Sequence, residues 1–375
     1  MSLGIAGMGW VTPLGSDLAD VWRRLMKGET AALQHVSNPL GRDYSLFPVP
    51  PDATARAPIH PRLRRSSAIS RFAVVAGLAA LEDAKLKLDA DTAARTALIF
   101  AVSNGGVIYT KRFYHDIVES GAQAASPLLF PETVFNAPAS HLAAILGING
   151  ASYTLVGDGA VGILALKMAE DLMENEALDH CLVVAAEEAD WLLCDAYHRW
   201  RLLRSGPPIQ PFQRPPRGTI LSEGAGALLL SRGGRFRLDQ IVAGRIFHNQ
   251  RDAGSALETV FAELGNGEIS LVAASANGTF IDAAEHDAVT RNCPNAKVYA
   301  VKRFLGESVG ASSLWQTICG ARCLSTQCVP PDSEQMSALS DDSSTRPKEN
   351  APLRSVLVSV CGLNQQVAGL RLSMN

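Results

Sequence analysis

The 375-residue sequence predicts an α/β fold made of two halves with a similar order of elements. Short apolar runs alternate with segments of helical periodicity, which favours an α/β fold over separate α and β blocks. The runs at residues 153–156, 180–186, 269–274 and 355–360 are almost continuously hydrophobic, so we predict that they are strands buried on both faces. The order of elements returns after a Gly-Gly turn, so we predict one half over residues 1–234 and another over residues 235–375.

The first half supplies most of the recognisable elements. Strands are predicted at residues 4–8, 96–102, 153–156, 180–186 and 227–230, and helices at residues 17–27, at residues 71–88 and from residue 161 onward. The helix at 71–88 is rich in alanine and leucine, and apolar residues after 161 recur at helical spacing.

The second half repeats this pattern more faintly. Strands are predicted at residues 269–274, 297–300 and 355–360. The stretch 330–352 is rich in Ser, Asp and Pro and lacks periodicity, so it is interpreted as a long surface excursion.

Composition excludes several classes of protein. Hydrophobic residues make up 47% of the chain and charged residues 19%, with a net charge of −3, which indicates a globular protein and argues against nucleic-acid binding. No apolar run reaches the roughly 18–20 residues that span a bilayer, and the N-terminus lacks the pattern of a signal peptide. Seven scattered cysteines fit reduced thiols, so we expect a cytoplasmic protein.

Two motifs that could bind a cofactor or metal are incomplete. The glycines at 4, 7 and 9 follow a predicted strand, but Thr12 stands where a dinucleotide fingerprint needs glycine. Close packing at a strand is the better interpretation. Cys319, Cys323 and Cys328 lack the spacing and the nearby histidine of a zinc site. We therefore expect no cofactor and no metal.

The segment 152–162 carries the strongest chemical signal. A strand leads into the turn Gly157-Asp158-Gly159 and then into an amphipathic helix. Enzymes of the α/β class place nucleophiles at such turns, because the amides and dipole of a helix N-terminus stabilise an anion. Here a glycine occupies that place.

Six segments, in order along the chain, resemble the β-ketoacyl-acyl-carrier-protein synthase family of condensing enzymes. They are GMGWVTPLGSDLADVWRRLMKGET, RFAVVAGLAALEDAKL, SNGG, SPLLFPETVFNAPASHLAAILGINGAS, the turn at 157–159, and PFQRPPRGTILSEGAGALLL. The resemblance implies a thiolase-like five-layer αβαβα fold with internal duplication.

The resemblance also identifies the positions at which family members carry a catalytic cysteine and two histidines. The cysteine position falls on Gly159 and the histidine positions fall on Asn277 and Glu307, whereas the lysine that precedes the second histidine is retained as Lys302. Residues 361–366, Cys-Gly-Leu-Asn-Gln-Gln, stand where the family has Gly-Phe-Gly-Gly-Thr-Asn. Since glycine offers no sulfur, no acyl-enzyme is expected, and an ionised Glu307 should repel a malonyl carboxylate.

A ketosynthase-like chain without its nucleophile resembles the chain-length factors of type II polyketide systems, including the aryl-polyene type. That resemblance implies a non-catalytic subunit that pairs with an active ketosynthase, works with an acyl carrier protein, and forms a homodimer if purified alone. It further implies that residues 98–102 and 128–136 help bury at least about 2,000 Å² in a dimer.

Two alternatives stay open. One is a divergent acyltransferase or malonyl decarboxylase that uses Asp158, Asn277 and Glu307. The other is a thiolase-fold protein that holds an acyl or coenzyme A ligand without turnover.

Overall fold

A computed structural model describes residues 3–174, 176–265, 267–331 and 351–375. The strands are β1 Leu3–Val11, β2 Gln34–Ser37, β3 Asp43–Phe47, β4 Thr96–Val102, β5 Ser152–Val156, β6 His180–Glu187, β7 Leu221–Ser222, β8 Gly224–Arg232, β9 Phe236–Ile246, β10 Leu271–Ala273, β11 Lys297–Tyr299, β12 Ser355–Cys361 and β13 Gln366–Met374. The helices are α1 Leu18–Met26, α2 Ala68–Asp83, α3 Ala90–Ala94, α4 Val107–Ser120, α5 Ala137–Leu146, α6 Val161–Leu172, α7 Trp191–Arg199, α8 Ala253–Leu264, α9 Ile281–Asn292, α10 Lys302–Leu305 and α11 Ser312–Thr326.

The main sheet contains the same arrangement of strands twice. Its order is β11-β10-β12-β13-β9-β1-β8-β6-β4-β5. Numbering the five strands of each half along the chain gives the order 3-2-4-5-1 in both, with the parallel and antiparallel pairs in matching places. The predicted internal duplication is confirmed. The predicted boundary after residue 234 falls in the turn between β8 and β9 and stays a prediction.

The contacts between helices and strands show how the elements are layered. Helices α6 and α11 contact each other and strands of both halves, so they form the central layer. Helix α2 covers β1, β8 and β6 on one outer face, whereas α8 covers β9, β12 and β13 on the other and packs on α9. This is the thiolase-like five-layer arrangement. The two halves are also joined by the pairs Gly4–Arg237 and Ile5–Phe236 between β1 and β9, a continuity that the sequence did not predict.

The glycines near the N-terminus have a packing role. A Cβ atom on Gly7 or Gly9 would lie closer than 3.0 Å to the backbone oxygen of Ala80 or Ala76 in α2. Only glycine lets the helix approach β1 this closely. The interpretation of these glycines as packing residues is confirmed.

Two predictions about strand burial were wrong. The strand at 153–156 exists, but it is the edge of the sheet and pairs only with β4, so Tyr153 is 43% and Val156 53% exposed. Conversely, every residue of β4 is fully buried within the chain itself. Residues 98–102 therefore cannot form part of a dimer interface, because neighbouring strands and helices already cover them.

The other elements agree with the predictions except at their ends. Helix α2 begins three residues earlier than predicted and ends at Asp83. The sequence analysis did not find β9 and β13, whose partly exposed residues break the apolar run, nor the small sheet of β2, β3 and β7. Most of the predicted excursion at 330–352 lies outside the described residues.

Candidate functional site

The predicted strand–turn–helix geometry is confirmed at the nucleophile position. Strand β5 ends at Val156, and α6 begins at Val161 after the turn. Gly159 is buried in this turn, and a Cβ atom placed on it would lie 3.1 Å from the Cα atom of Gly362. The position therefore has neither a nucleophile nor free space for a side chain without some movement of Gly362.

Hydrogen bonds of Asp158 hold the turn after β12 against the turn at residues 157–159. Its Oδ2 atom accepts hydrogen bonds from the backbone N–H groups of Asn364 and Gln365, both at 2.9 Å. The side-chain oxygen of Gln366 in turn accepts a bond from the backbone N–H of Asp158 at 2.8 Å. A Cβ atom on Gly362 would collide with the Asp158 carboxylate, so glycine is required there.

Asn277 and Glu307, on which the resemblance places the family's histidines, meet in the interior. The Nδ2 atom of Asn277 donates to Oε2 of Glu307 at 2.7 Å. The same Oε2 atom lies 2.8 Å from Nζ of Lys302, and both side chains of this ion pair are almost completely buried. The retained lysine therefore neutralises Glu307, which weakens the repulsion that the sequence analysis expected from that carboxylate.

Further hydrogen bonds fix each member of this group. Oδ1 of Asn277 accepts from the hydroxyl of Thr279 at 2.6 Å, and Oε1 of Glu307 accepts from the backbone N–H of Val309 at 3.0 Å. Lys302 also donates to the hydroxyl of Ser275 at 3.3 Å. Since Asn277, Glu307 and Lys302 are bound to one another and to their surroundings, we call them the buried polar triad.

Ser275 connects the triad to the backbone of Cys361. The hydroxyl of Ser275 donates to the carbonyl oxygen of Cys361 at 3.1 Å and accepts from its backbone N–H at 3.0 Å. Burial, followed by the charge of Glu285, raises the pKa of the Cys361 thiol well above its ordinary value. A thiol held in the neutral form is a poor nucleophile, so Cys361 does not replace the missing cysteine.

Two further carboxyl groups are buried beside the site. Glu187 accepts hydrogen bonds from the backbone of Ser103 and Asn104, and burial raises its pKa to about 8. Glu188 also has its pKa raised to about 8, first by burial and then by the charge of Glu223. The Oε1 atom of Glu188 has no hydrogen-bond partner among the described residues.

The described ranges contain no group of three or more His, Cys, Asp or Glu residues placed to hold a metal ion. None of the helices in those ranges is long and apolar enough to cross a membrane.

Comparison with known proteins assigns the family. The model of the β-ketoacyl synthase N-terminal domain matches residues 2–234. The chain belongs to the β-ketoacyl synthase family. The 3-oxoacyl-[acyl-carrier-protein] synthase 2 of Vibrio cholerae is 22% identical over 369 residues, which cover 87% of each chain. Members of this family act in chain elongation in fatty acid and polyketide biosynthesis.

Solved β-ketoacyl synthase structures share the fold over the whole chain. The ishigamide ketosynthase/chain length factor has a TM-score of 0.84 at 20% identity and covers 100% of this chain and 99% of its own. The ketosynthase ApeO in complex with its chain length factor ApeC from Xenorhabdus doucetiae has a TM-score of 0.79 at 18% identity, covering 100% and 98%.

Sequence reasoning singled out Gly159, Asn277 and Glu307 but missed the residues that they contact. Nothing in the sequence indicates that Ser275 links Lys302 to Cys361, or that Asp158 binds the backbone about 200 residues later. The sequence offered one signal of this contact, namely that residues 361–366 differ from the glycine-rich segment of the family. When two altered segments lie together in a fold, as those around 158 and 364 do, their changes can compensate for each other.

Proposed function

We propose that this chain is a non-catalytic, ketosynthase-like subunit that pairs with an active β-ketoacyl synthase and acts as its chain-length factor. The proposal rests on the residues found at the three positions where the resemblance places the family's catalytic cysteine and histidines. Gly159 supplies no thiol, and Asn277 and Glu307 are bound within the buried polar triad instead of facing a substrate. A group of this kind stabilises the interior and leaves the condensation chemistry to a partner.

The exposed apolar surface around β5 supports a protein partner. Helix α4 has no buried residue although it carries Ile, Phe, Tyr and Val side chains. Beside it, Leu128 is 63% and Phe135 45% exposed, and the ring of Phe130 packs on Phe113 of α4 at 5.8 Å. Contiguous apolar patches of this kind mark interaction sites on soluble proteins. We define α4, residues 128–136 and the edge strand β5 as the partner face.

The edge strand adds a backbone component to this face. Within the described ranges, strand β5 is hydrogen-bonded to β4 on one side only, and on its other side no described strand pairs with its N–H and C=O groups. An unprotected edge pairs readily with another strand. The partner therefore gains both an apolar surface and a row of hydrogen bonds.

An open groove on the partner face fits the role of shaping a growing chain. It has a volume of about 460 Å³ and lies between α4 and Leu192 of α7. Its lining is predominantly apolar and includes Val107, Tyr114 and Val118. Pockets for small molecules typically measure about 300–1,000 Å³, so a section of an acyl or polyketide chain fits this space when a partner covers it.

Three exposed arginines offer a docking place for an acyl carrier protein. Arg62, Arg64 and Arg65 follow one another before α2, and none forms an ion pair with a residue of the described ranges. A cluster of free guanidinium groups attracts an acidic partner and raises its association rate. We therefore include a carrier protein among the partners.

Co-expression with a ketosynthase encoded beside this chain tests the proposal. Size-exclusion chromatography with mass measurement should show a one-to-one heterodimer. Phe135→Asp, on the partner face, should abolish it, because an unpaired charge cannot be buried at little cost. Leu40→Asp is the matched control, since Leu40 is highly exposed in the hairpin between β2 and β3, outside the partner face. Equal behaviour of the two variants would contradict the assignment of this face.

The chemical alternative is tested on the chain alone. Incubation with malonyl- and acyl-carrier protein should give no acyl adduct by mass spectrometry, no condensation and no release of carbon dioxide. An adduct on any residue, or decarboxylation without a partner, would support the divergent acyltransferase or decarboxylase instead.

A further inference from the structure

One carboxylate of the partner face is buried, while the apolar side chains around it are exposed. Leu128, Phe130 and Phe135 are exposed, whereas Glu132 in the same stretch is only 7% exposed. This reverses the usual pattern, in which charged groups stay in water and large apolar groups are buried. A charge is tolerated in the interior when it is paired and hydrogen-bonded. The contacts of Glu132 therefore show what its burial achieves.

The Glu132 carboxylate connects this stretch to two helices. Its Oε1 atom lies 2.6 Å from Nε2 of His141 in α5, and both side chains are largely buried. Its Oε2 atom accepts a hydrogen bond at 3.3 Å from the backbone N–H of Ser67, the residue that precedes α2. Both oxygens of the carboxylate are thus engaged within the chain itself.

Helix α4 of the partner face is held at the same place. The hydroxyl of Tyr109 donates to the backbone oxygen of Ser66 at 3.1 Å, next to the residue that Glu132 binds. A Cβ atom on Gly106, just before α4, would lie 2.5 Å from the backbone oxygen of Glu132. Helix α4 and residues 128–136 therefore pack closely, and Glu132 ties both to the N-terminus of α2.

Residues 128–136 have little regular structure of their own. Their regular element is one short 3₁₀ helix, Phe130–Thr133. The backbone N–H groups of Leu129 and Phe130 both donate to the oxygen of Ser126 at 3.1 Å. So short a helix contributes little stability by itself. The conformation of the stretch therefore depends on its side-chain contacts, and Glu132 makes the charged ones.

We propose that Glu132 is the positioning residue of the partner face and holds residues 128–136 in the binding conformation before the ketosynthase arrives. This inference rests on the proposed function, because it concerns the same face. A segment that is already ordered loses less conformational freedom when it binds. If only a fraction of the free chains had the competent conformation, the apparent affinity would fall by that fraction. Glu132 acts through the residues that it holds and not by contact with the partner.

Binding kinetics of the full-length chain on the immobilised ketosynthase encoded beside it test the proposal. Glu132→Leu removes both hydrogen bonds and should slow association at least about tenfold while the dissociation rate stays the same. Glu132→Gln keeps hydrogen-bonding atoms toward Ser67 and His141, so it should associate within about threefold of the wild-type rate. His141→Leu removes one of the two contacts from the other side and should slow association less than Glu132→Leu.

Glu285→Leu is the matched control. Glu285 in α9 is completely buried and accepts hydrogen bonds from the backbone N–H groups of Ser275 and Ala276 at 2.8 and 2.7 Å. The same substitution there removes a comparable pair of bonds outside the partner face. It should lower the melting temperature and leave the association rate unchanged. Equal slowing in Glu285→Leu and Glu132→Leu would overturn the positioning role, because loss of stability alone would then explain both.

Hydrogen exchange on the chain alone separates this inference from the proposed function. Peptides that cover residues 128–136 should exchange faster in Glu132→Leu than in the wild-type chain, because the backbone bonds to Ser126 open more often. Unchanged exchange, or equal association rates in the wild-type chain, Glu132→Leu and His141→Leu, would overturn the inference. A wild-type chain that does not bind the ketosynthase would instead refute the proposed function, and the exchange rates would still decide whether Glu132 holds the stretch.

Discussion

The buried polar triad makes a quantitative prediction about stability. Lys302→Met removes the cation and leaves the Glu307 carboxylate, whose side chain is only 3% exposed, without its ion-pair partner. Breaking a buried ion pair in this way costs about 3–5 kcal/mol. Glu307 keeps its hydrogen bonds from Asn277 and Val309, so we expect the lower end, about 3 kcal/mol.

A second substitution should restore most of that loss. In the double variant Lys302→Met with Glu307→Gln no uncompensated charge is buried. The single glutamine oxygen accepts from either Asn277 or Val309, which leaves the other donor unpaired at a cost of about 1 kcal/mol. Replacing a buried ion pair with neutral groups is often close to neutral for stability. We therefore expect the double variant to recover about 2 kcal/mol relative to the single one, which is a coupling typical of residues in direct contact.

Guanidinium unfolding, followed by tryptophan fluorescence and by circular dichroism, measures these free energies where the two signals coincide. Lys167→Met is the control, since Lys167 pairs with Glu170 and Asp171 on the exposed side of α6. Exposed pairs contribute less than about 1 kcal/mol. A loss in Lys302→Met no larger than in Lys167→Met would refute the structural role of the triad.

Two further predictions concern chemistry and pH. Gly159→Cys alone regains a thiol but should give no condensation product by mass spectrometry, because Asn277 and Glu307 still cannot bind and decarboxylate a malonyl group. Adding histidine at both positions is the smallest change expected to give any turnover, and condensation by the single variant would contradict this. Burial raises the pKa of Glu188 from 4.5 to about 8, so between these values the folded chain holds a proton that the unfolded chain has released. The free energy of unfolding should therefore fall as the pH rises from about 5 to about 8 and then level off. Glu188→Gln should make the profile measured by thermal unfolding less steep without levelling it, because burial raises the pKa of Glu187 to about 8 as well. An unchanged profile in that variant would exclude Glu188 as its source.

The sequence predicted most accurately the strands that are covered on both faces. Strand β4 was located to the residue, because a fully buried parallel strand is hydrophobic at every position. The exposure of β5 was missed for a physical reason: the hydrophobicity of Tyr153 and Val156 is the same whether a strand is covered by its own chain or by a partner. Apolar residues indicate that a surface becomes buried, but they do not show whether its own chain or a partner covers it.

The sequence indicated which residues belong to the site but not which of them touch one another. Order along the chain singled out Gly159, Asn277 and Glu307, and the structure brings Asn277 and Glu307 into contact. The ion pair with Lys302 could not be foreseen, since it depends on a separation of 2.8 Å between two side chains, one in α10 and one just after it. An argument from charge alone therefore gave Glu307 a repulsive role that its neighbour largely removes.

The substitutions around the nucleophile turn depend on one another, and this explains why a single reversion is not expected to restore activity. Any side chain at position 159 presses against Gly362, and any side chain at position 362 collides with the carboxylate of Asp158. Asp158 itself is held by the backbone of Asn364 and Gln365, so it cannot easily move aside. These contacts hold the hairpin of β12 and β13 against the turn that precedes α6, and they leave little room for a side chain at position 159. A thiol introduced at position 159 therefore needs a matching change at Asp158 or in the backbone around Gly362.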